Sequence, residues 1–348
     1  MTFNKELITW YRNNKRDLPW RNQTDSYLIW LSEIILQQTR VEQGMPYFLR
    51  FLECYPTVKD FSSASEDEIL KLWQGLGYYS RGRNMLKTAQ KVMADFNGVF
   101  PTAYADLITL TGIGEYTAAA ISSFSSNESK AVVDGNVYRF LARYFGVSTP
   151  INSTEGKKEF QALADEVLDK NNAGEHNQAM IEFGALQCKP KNPLCETCPF
   201  MLSCFAYKNA QIATLPVKLK KLKIRERHFH FFVIVNEKHQ LIIKRRNNSD
   251  IWAGLYDLPS LELLSKPERL EMIPEFRNWF ENEPKVKNIS NEIKHILTHQ
   301  RLFARFVEID AKTKNILMQD GWLWVNLEDL KNYGMPKLIF EFLKKIIT

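Results

Sequence analysis

Cys188, Cys195, Cys198 and Cys204 are spaced C-x6-C-x2-C-x5-C, near enough along the chain for four thiolates to converge on one centre from a single loop. Four sulfur donors suit either tetrahedral zinc or an iron–sulfur cluster. Structural four-cysteine zinc usually sits between two CxxC knuckles. Here a single CxxC pair stands between wider spacings, which suit a larger object. Lys189 and Lys191 give the loop a basic rim able to touch a phosphate. The fifth cysteine, Cys54, stands alone at the end of a helical stretch and reads as a small apolar residue. This clustering points to a metal or cluster site in a reducing compartment rather than to a disulfide framework.

Two carboxylates are singled out by their surroundings. Between Tyr27 and Gln37 the only polar residues are Ser32 and Glu33, which predicts a helix over Tyr27 to Gln38 that is apolar nearly all round and buried. Glu33 then sits among Ile29, Trp30, Leu36 and Gln37. Desolvation there raises a carboxyl pKa and retains the proton near neutrality, as a general acid requires; the alternative is a glutamate at a helix edge pointing outward. Asp134 lies in Ala131-Val132-Val133-Asp134-Gly135-Asn136-Val137-Tyr138-Arg139, where an apolar run delivers a carboxylate to a turn. It is placed to N-cap a helix beginning near Val137.

Leu107 to Ile121 reads as a helix, the turn Thr111-Gly112-Ile113-Gly114, and an alanine-rich second helix. Glycines at both turn positions allow positive φ and leave backbone N–H groups bare at the second helix's N-terminus, a natural anion site. A phosphate held there positions a protein without reading sequence.

The elements that carry these residues divide the chain. From Lys5 to about Lys189 the periodicity is helical, as in Glu66 to Trp73, Arg83 to Phe96 and Lys157 to Leu168, with short turns such as Asn97-Gly98 and Asp134-Gly135-Asn136. Pro216 to Arg227 carries Lys218, Lys220, Lys221, Lys223, Arg225 and Arg227 against Glu226 alone and reads as a basic linker, either solvated or lying along phosphates. Beyond it, His228 to Val235, Leu241 to Lys244, Phe303 to Ile309 and Trp322 to Val325 are strand-like, and a last helix starts at Pro336. The expected architecture is an all-α domain over 1–215, a linker over 216–227 and an α+β domain over 228–348. With 46 Lys and Arg against 40 Asp and Glu the formal charge is +6, which fits a polyanionic partner without requiring one. The N-terminal residues lack the layout of a signal peptide and no apolar run is long enough to span a bilayer, so a cytoplasmic protein is expected.

Ser32-Glu33-Ile34-Ile35-Leu36-Gln37-Gln38-Thr39-Arg40-Val41, with Asp17-Leu18-Pro19-Trp20-Arg21 before it and Gly75-Leu76-Gly77-Tyr78-Tyr79 after it, closely resembles the MutY-type adenine DNA glycosylases of the endonuclease III, helix–hairpin–helix superfamily. The likeness runs through Asn177-Gln178-Ala179-Met180 to the cysteines and covers essentially the first 215 residues. It implies a helical glycosylase domain whose hairpin, Gly112 and Gly114, binds DNA, with Cys188, Cys195, Cys198 and Cys204 holding a structural 4Fe-4S cluster. Glu33 would protonate adenine at N7, Asp134 would stabilise the oxocarbenium-like sugar or bond to it transiently, and Asn136 would orient the catalytic groups and water. Tyr116 would line the site beside Asp134. Proton donor at the base and carboxylate at the sugar divide the work as in sugar hydrolases. Gln38 resembles the residue that wedges into the duplex where adenine is extruded, and Tyr78 the one beside the partner base. Trp20, Arg21 and Gln178 would line the adenine pocket. The lyase-competent relatives carry a lysine nucleophile where Tyr116 stands, and a phenol forms no Schiff base, so hydrolysis with little strand cleavage is expected.

Ile251-Trp252-Ala253-Gly254-Leu255-Tyr256-Asp257-Leu258-Pro259 resembles the corresponding stretch of the Nudix-like domains attached to such proteins, without the run of glutamates that binds metal in true Nudix hydrolases. In that family the domain checks the base opposite adenine through a Phe-Ser-His loop. Here His295-Ile296-Leu297-Thr298-His299 occupies the place: Thr298 and His299 keep the polar groups for contact with the opposite base, and Leu297 replaces the aromatic. The expected partner is double-stranded DNA with adenine opposite 8-oxoguanine or guanine, bound by a monomer. Two alternatives stand beside this: a superfamily relative acting on mismatched thymine or oxidised pyrimidines, and a non-catalytic iron–sulfur protein that binds damaged DNA. Glu33 argues against the first, because a pyrimidine needs no N7 proton. Retention of both carboxylates argues against the second.

Overall fold

The computed structural model describes residues 3–219, 224–247, 250–263, 270, 273–310 and 315–347. The chain divides into two compact units, Met1–Ser63 with Asn84–Lys221, and Ala64–Arg83 with Leu222–Thr348. Helices α1 (Phe3–Asn14), α2 (Ser26–Leu36), α3 (Val41–Cys54), α4 (Val58–Ser62), α5 (Glu66–Leu72), α6 (Ser80–Asp95) and α7 (Tyr104–Leu107) are followed by α8 (Glu115–Ser126), α9 (Gly135–Phe145), α10 (Thr154–Val167), α11 (Ala173–Leu186) and α12 (Phe205–Lys208). Of these, α5 and the first residues of α6 belong to the second unit.

Local chemistry sets the boundaries that matter. Asp25 caps α2 by accepting a hydrogen bond from the Tyr27 N–H at 2.8 Å. That helix buries Ile29, Trp30, Leu31, Ser32, Ile34 and Ile35, as its apolar circumference requires. It ends at Leu36 rather than Gln38, because Gln37 leaves the helical region at ψ 115° and Gln38 follows with a left-handed φ of 56°. Helix α9 starts at Gly135, two residues ahead of the expected point, with Asp134 as its cap, and stops at Gly146, whose φ is 78°. Its apolar face packs Phe140 on Phe183 of α11, ring centroids 4.3 Å apart, and both on Phe200. A side chain at Gly184 of α11 would come within 2.5 Å of the Asn136 carbonyl oxygen, so glycine is what lets α11 lie against the start of α9.

The second unit carries a mixed sheet built from β1 (Arg225–Val235), β2 (Gln240–Arg245), β3 (Tyr256–Asp257), β4 (Ser260–Leu263), β5 (Lys285–Ile289), β6 (Ile293–Ile296), β7 (Gln300–Asp310) and β8 (Trp322–Asn326). Its central path is β3-β2-β1-β7-β5, with β4 on β1, β6 on β7 and β8 on β2. The long pair β1 and β7 is parallel, in register from Arg225 opposite Gln300 to Val235 opposite Asp310, and every other pairing is antiparallel. Alternation along β1 sends Phe229, Phe231 and Val233 to one face, under α14 (Lys337–Ile347), and Phe232 and Ile234 to the other, against α13 (Pro274–Arg277). Pro336 precedes α14 rather than opening it.

One sequence expectation changes here. Arg225 to Arg227, read as the end of the linker, already form β1, and Arg227 is 5% exposed. Its guanidinium is paired with Asp250 at 2.7 Å and Glu262 at 2.5 Å, so it is not free to follow phosphates. Lys220, Lys221 and Lys223 lie outside the described residues.

Candidate active site

A pocket of about 610 Å³ opens in the first unit between α2, the start of α8, the start of α9 and α11. Glu33, Tyr116, Asp134, Asn136, Trp20, Arg21, Gln178 and Gln38 all line it, so eight residues singled out in the sequence meet in one cavity.

Glu33 projects from α2 beneath the Tyr116 ring, and the Tyr116 hydroxyl donates to its Oε2 at 3.0 Å. Desolvation lifts the Glu33 pKa to about 7; the Tyr116 hydrogen bond and Arg21 pull it down, and Asp134 pushes it up. Burial dominates because no cation is bonded to the carboxyl. The Tyr116 phenol, beside the same two acids, is held well above its ordinary value by burial and by Glu33, and stays protonated.

Asp134 is both a helix cap and a pocket wall. Its Oδ1 accepts from the backbone N–H groups of Asn136 and Val137, each at 2.8 Å, and its Oδ2 accepts from Asn136 Nδ2 at 2.7 Å. Burial raises its pKa, opposed by these three donors and by Arg139. Asn136 is fixed in turn, because the Arg139 guanidinium donates to Asn136 Oδ1 at 2.8 Å and to the Gly184 carbonyl at 2.6 Å. The Arg139 Nε donates to the Cys188 carbonyl at 2.7 Å, so one buried guanidinium joins the Asp134 turn to the first residue of the cysteine loop. Sequence reasoning passed over Arg139, although its place one turn after Asn136 on α9 was a usable signal.

Behind the lining residues Arg16 and Arg21 lies a second missed group. Glu182, fully buried, accepts from the Arg16 backbone N–H at 2.9 Å and from both guanidiniums, at 2.7 Å from Arg16 and 2.5 Å from Arg21. Burial would raise its pKa, but the bonds from Arg21 and Arg16 overrule it and hold it at about 2. Arg21 is thereby clamped flat against the pocket. Gln178, one turn earlier on α11, accepts from the Tyr11 hydroxyl at 2.7 Å through Oε1, which leaves its amide N–H groups to the cavity. Trp20 is buried and meets Phe48 edge to face at 5.0 Å.

At the hairpin only Gly112 uses the left-handed region, with φ 80°, and a Cβ there would strike Asn84 at 2.8 Å. Gly114 does not share it: its φ is −93°, it caps α8, and the space a Cβ would fill is open. The expectation of positive φ at both glycines is corrected on this point. The second glycine leaves the helix N–H groups uncovered instead.

Cys188, Cys195, Cys198 and Cys204 line one apolar cavity with Phe140, Phe183 and Phe200. Arg143, also buried, donates to Cys188 Sγ at 3.5 Å and to the Lys189 carbonyl at 2.8 Å. Burial raises the Cys188, Cys195 and Cys198 thiols, the last to about 12, so a cationic group among them is what would make them thiolates. Among the described residues no three His, Cys, Asp or Glu are gathered as a single metal ion would need. Four cysteines lining one cavity are the donor set that a cluster takes.

In the second unit Tyr78, left-handed at φ 48°, and Thr298 are hydrogen-bonded through their hydroxyls. Leu297, Thr298 and His299 form the turn between β6 and β7, closed by the Leu297 N–H to the Gln300 carbonyl at 2.9 Å. Leu297 packs partly against the sheet core; the exposed apolar side chain beside this turn is Ile296, at 70%.

Residues 31–168 match the family model described as HhH-GPD superfamily base excision DNA repair protein, and residues 230–345 match the NUDIX domain. An adenine DNA glycosylase of Buchnera aphidicola subsp. Baizongia pistaciae is 33% identical over 99% of this chain and 97% of its own length. The chain belongs to the adenine DNA glycosylase family. A second adenine DNA glycosylase, from Buchnera aphidicola subsp. Schizaphis graminum, is 31% identical over 98% of both chains. The glycosylase is also similar to the solved structure of a thermostable thymine-DNA glycosylase, at 28% identity and TM-score 0.55 over 60% of this chain and 95% of that one. This is a DNA N-glycosylase of base excision repair, with a helix–hairpin–helix domain followed by a Nudix-like domain of mixed sheet. No helix among the described residues is long and apolar enough to cross a membrane.

Proposed function

We propose that this protein hydrolyses the N-glycosidic bond of adenine mispaired with 8-oxoguanine or guanine in duplex DNA, without cleaving the strand. The observation that carries the reading is the pair Glu33 and Tyr116: a carboxyl poised near pKa 7, bonded to a phenol at 3.0 Å where a lyase would need an amine. With adenine extruded into the pocket, Glu33 gives its proton to N7 of the leaving base, and the Tyr116 hydroxyl then steadies the carboxylate that forms. As the glycosidic bond stretches, positive charge grows on the sugar. Asp134 faces that charge, held in place by Asn136 and the α9 backbone, either as a stabilising anion or as a transient bond partner. Gln178 and Arg21 present donors to the base edges. Gln38 would fill the vacated stack, with Gly112 and Gly114 on a phosphate. Tyr78, Thr298 and His299 would meet the opposite base, so catalysis would belong to the helical domain and the check on the partner base to the sheet domain that starts with β1 at Arg225, with Tyr78 added from the helical part of the chain.

Cys188, Cys195, Cys198 and Cys204 would hold a 4Fe-4S cluster. The four cysteines would fold their loop around it, and Arg143 and Arg139 of α9, which bond Cys188 and Lys189, join that loop to the Asp134 turn. A monomer acting in the cytoplasm is the setting this reading implies. The test is a single-turnover assay on duplexes with adenine opposite 8-oxoguanine, opposite guanine and opposite thymine. Adenine release from the first two, leaving alkali-labile but unbroken strands, is expected; thymine release, or no base release by protein with an intact cluster, sinks the reading. Iron and inorganic sulfide analysis of anaerobically purified protein tests the cluster, and one equivalent of zinc without iron overturns it.

A further inference from the structure

Beside the catalytic pocket runs a larger groove of about 1290 Å³, against 610 Å³ for the pocket itself. The two share Gln37, Gln38, Tyr116, Val133 and Tyr138 as a common wall, so the groove begins at the mouth of the active site. It passes Gly114, at the N-terminus of α8, and ends along α10. Four lysines line it, Lys130, Lys157, Lys158 and Lys170, against two carboxylates, Glu115 and Asp165. Among the described residues neither carboxylate is ion-paired with these lysines, and Lys130 lies over the Tyr104 ring at 4.7 Å. Lys157 and Lys158 are exposed near the N-terminal end of α10, the helix end that disfavours cations. Neither lysine has an ion-pair partner among the described residues, which leaves both open to an external polyanion.

We propose that this groove carries the sugar–phosphate backbone of the adenine-bearing strand beyond the extruded nucleotide, with Lys157 and Lys158 contacting its phosphates. The inference rests on the glycosylase reading and extends it. A strand that sends one nucleotide into the pocket must leave by its rim, and the rim opens into this groove between the hairpin amides of α8 and the lysines of α10. Its volume suits a run of backbone rather than one base, and its positive excess suits phosphate. Contacts of this kind hold register and read no sequence.

The experiment compares wild type, the double variant Lys157→Gln/Lys158→Gln and its Lys→Arg counterpart. It measures equilibrium binding to a duplex carrying a non-cleavable adenine analogue across a salt series. The Gln variant should lower the slope of log K against log salt by about one per lysine, and the Arg variant should restore it. Neutral methylphosphonates are then placed one at a time along each strand. At one or two positions on the adenine strand, neutralisation should weaken wild type and leave the Gln variant unaffected. An unchanged slope overturns the proposal, and so does loss of the effect on the opposite strand instead. Failure of wild type to release adenine would sink the functional reading while leaving the binding comparison intact, so the two failures are distinguishable.

Discussion

Glu33 lines the pocket and Glu182 stands behind two of its lining residues, Arg16 and Arg21; the two are the same residue type and sit at opposite ends of the carboxyl range. Glu33, partly exposed to the pocket but desolvated there, has a phenol as its bonded partner and rises to about 7. Glu182 is buried with two guanidiniums and a backbone N–H and falls to about 2. Burial acts in the same direction on both, so the partner decides. A neutral donor leaves desolvation in charge and yields a proton carrier; paired cations reverse it and yield a permanent anion that anchors Arg21. The same side chain thus serves once as a raised-pKa carboxyl in the pocket and once as the anion that fixes a pocket arginine from behind.

Removing the proton carrier is the strongest way to break this comparison. Glu33→Gln should slow adenine release by roughly 10²–10⁴-fold while leaving duplex affinity near wild type, as single-turnover kinetics and equilibrium binding would show. Unchanged excision would take Glu33 out of its role. Its pKa is raised on folding, so its contribution to stability is complete below 4.5 and lost as pH rises through 7. Glu33→Gln should therefore gain stability relative to wild type at pH 8, read by urea denaturation.

Removing the scaffold should do the reverse. Glu182→Ala leaves Arg21 and the inner part of Arg16 without a counter-charge and should cost about 3–5 kcal/mol of stability. Because its folded pKa is depressed, the stability it gives is present above pH 4.5 and fades as pH falls toward 2. The difference between wild type and variant should shrink in acid. A variant as stable as wild type at pH 7 would show that the ion pairs merely balance their own desolvation.

A finer change sharpens the contrast without removing either acid. Tyr116→Phe deletes the bond that lowers Glu33, so the Glu33 pKa should rise. Excision, which falls in wild type as pH climbs past about 7, should then persist to higher pH, at a rate reduced about tenfold or less. A pH–rate profile that stays in place would mean that Glu33 is not the group titrating.

The sequence disclosed the acid and concealed the scaffold for physical reasons. Glu33 was legible because its own helix supplies its surroundings: eight buried residues lie within Ser26 to Ile35. Asp134 was legible because the cap and the turn are local. The Glu182 pairings join residues more than 160 positions apart, and nothing in the periodicity of α11 reveals which cation will arrive. Arg139 escaped for a similar reason, since it works through carbonyls of Gly184 and Cys188 that only tertiary packing brings near. Gly112 and Gly114 look alike in the sequence, but one needs its φ and the other needs the empty space around it. In the second unit the strands were readable from alternation. The true start of β1 at Arg225 was not, because a run of cations conceals an ion-paired strand end.

Gln38 keeps a left-handed backbone at the pocket mouth, and a residue with a Cβ holds that conformation at a cost of about 1–2 kcal/mol. Selection for heat resistance alone would accordingly favour glycine at this position. Gln38→Gly should unfold no earlier than wild type in a thermal melt, yet lose much of its adenine excision, since the side chain that would replace the extruded base is gone. Heat resistance and excision would then pull this one position in opposite directions, the backbone favouring glycine and the proposed stacking role favouring glutamine.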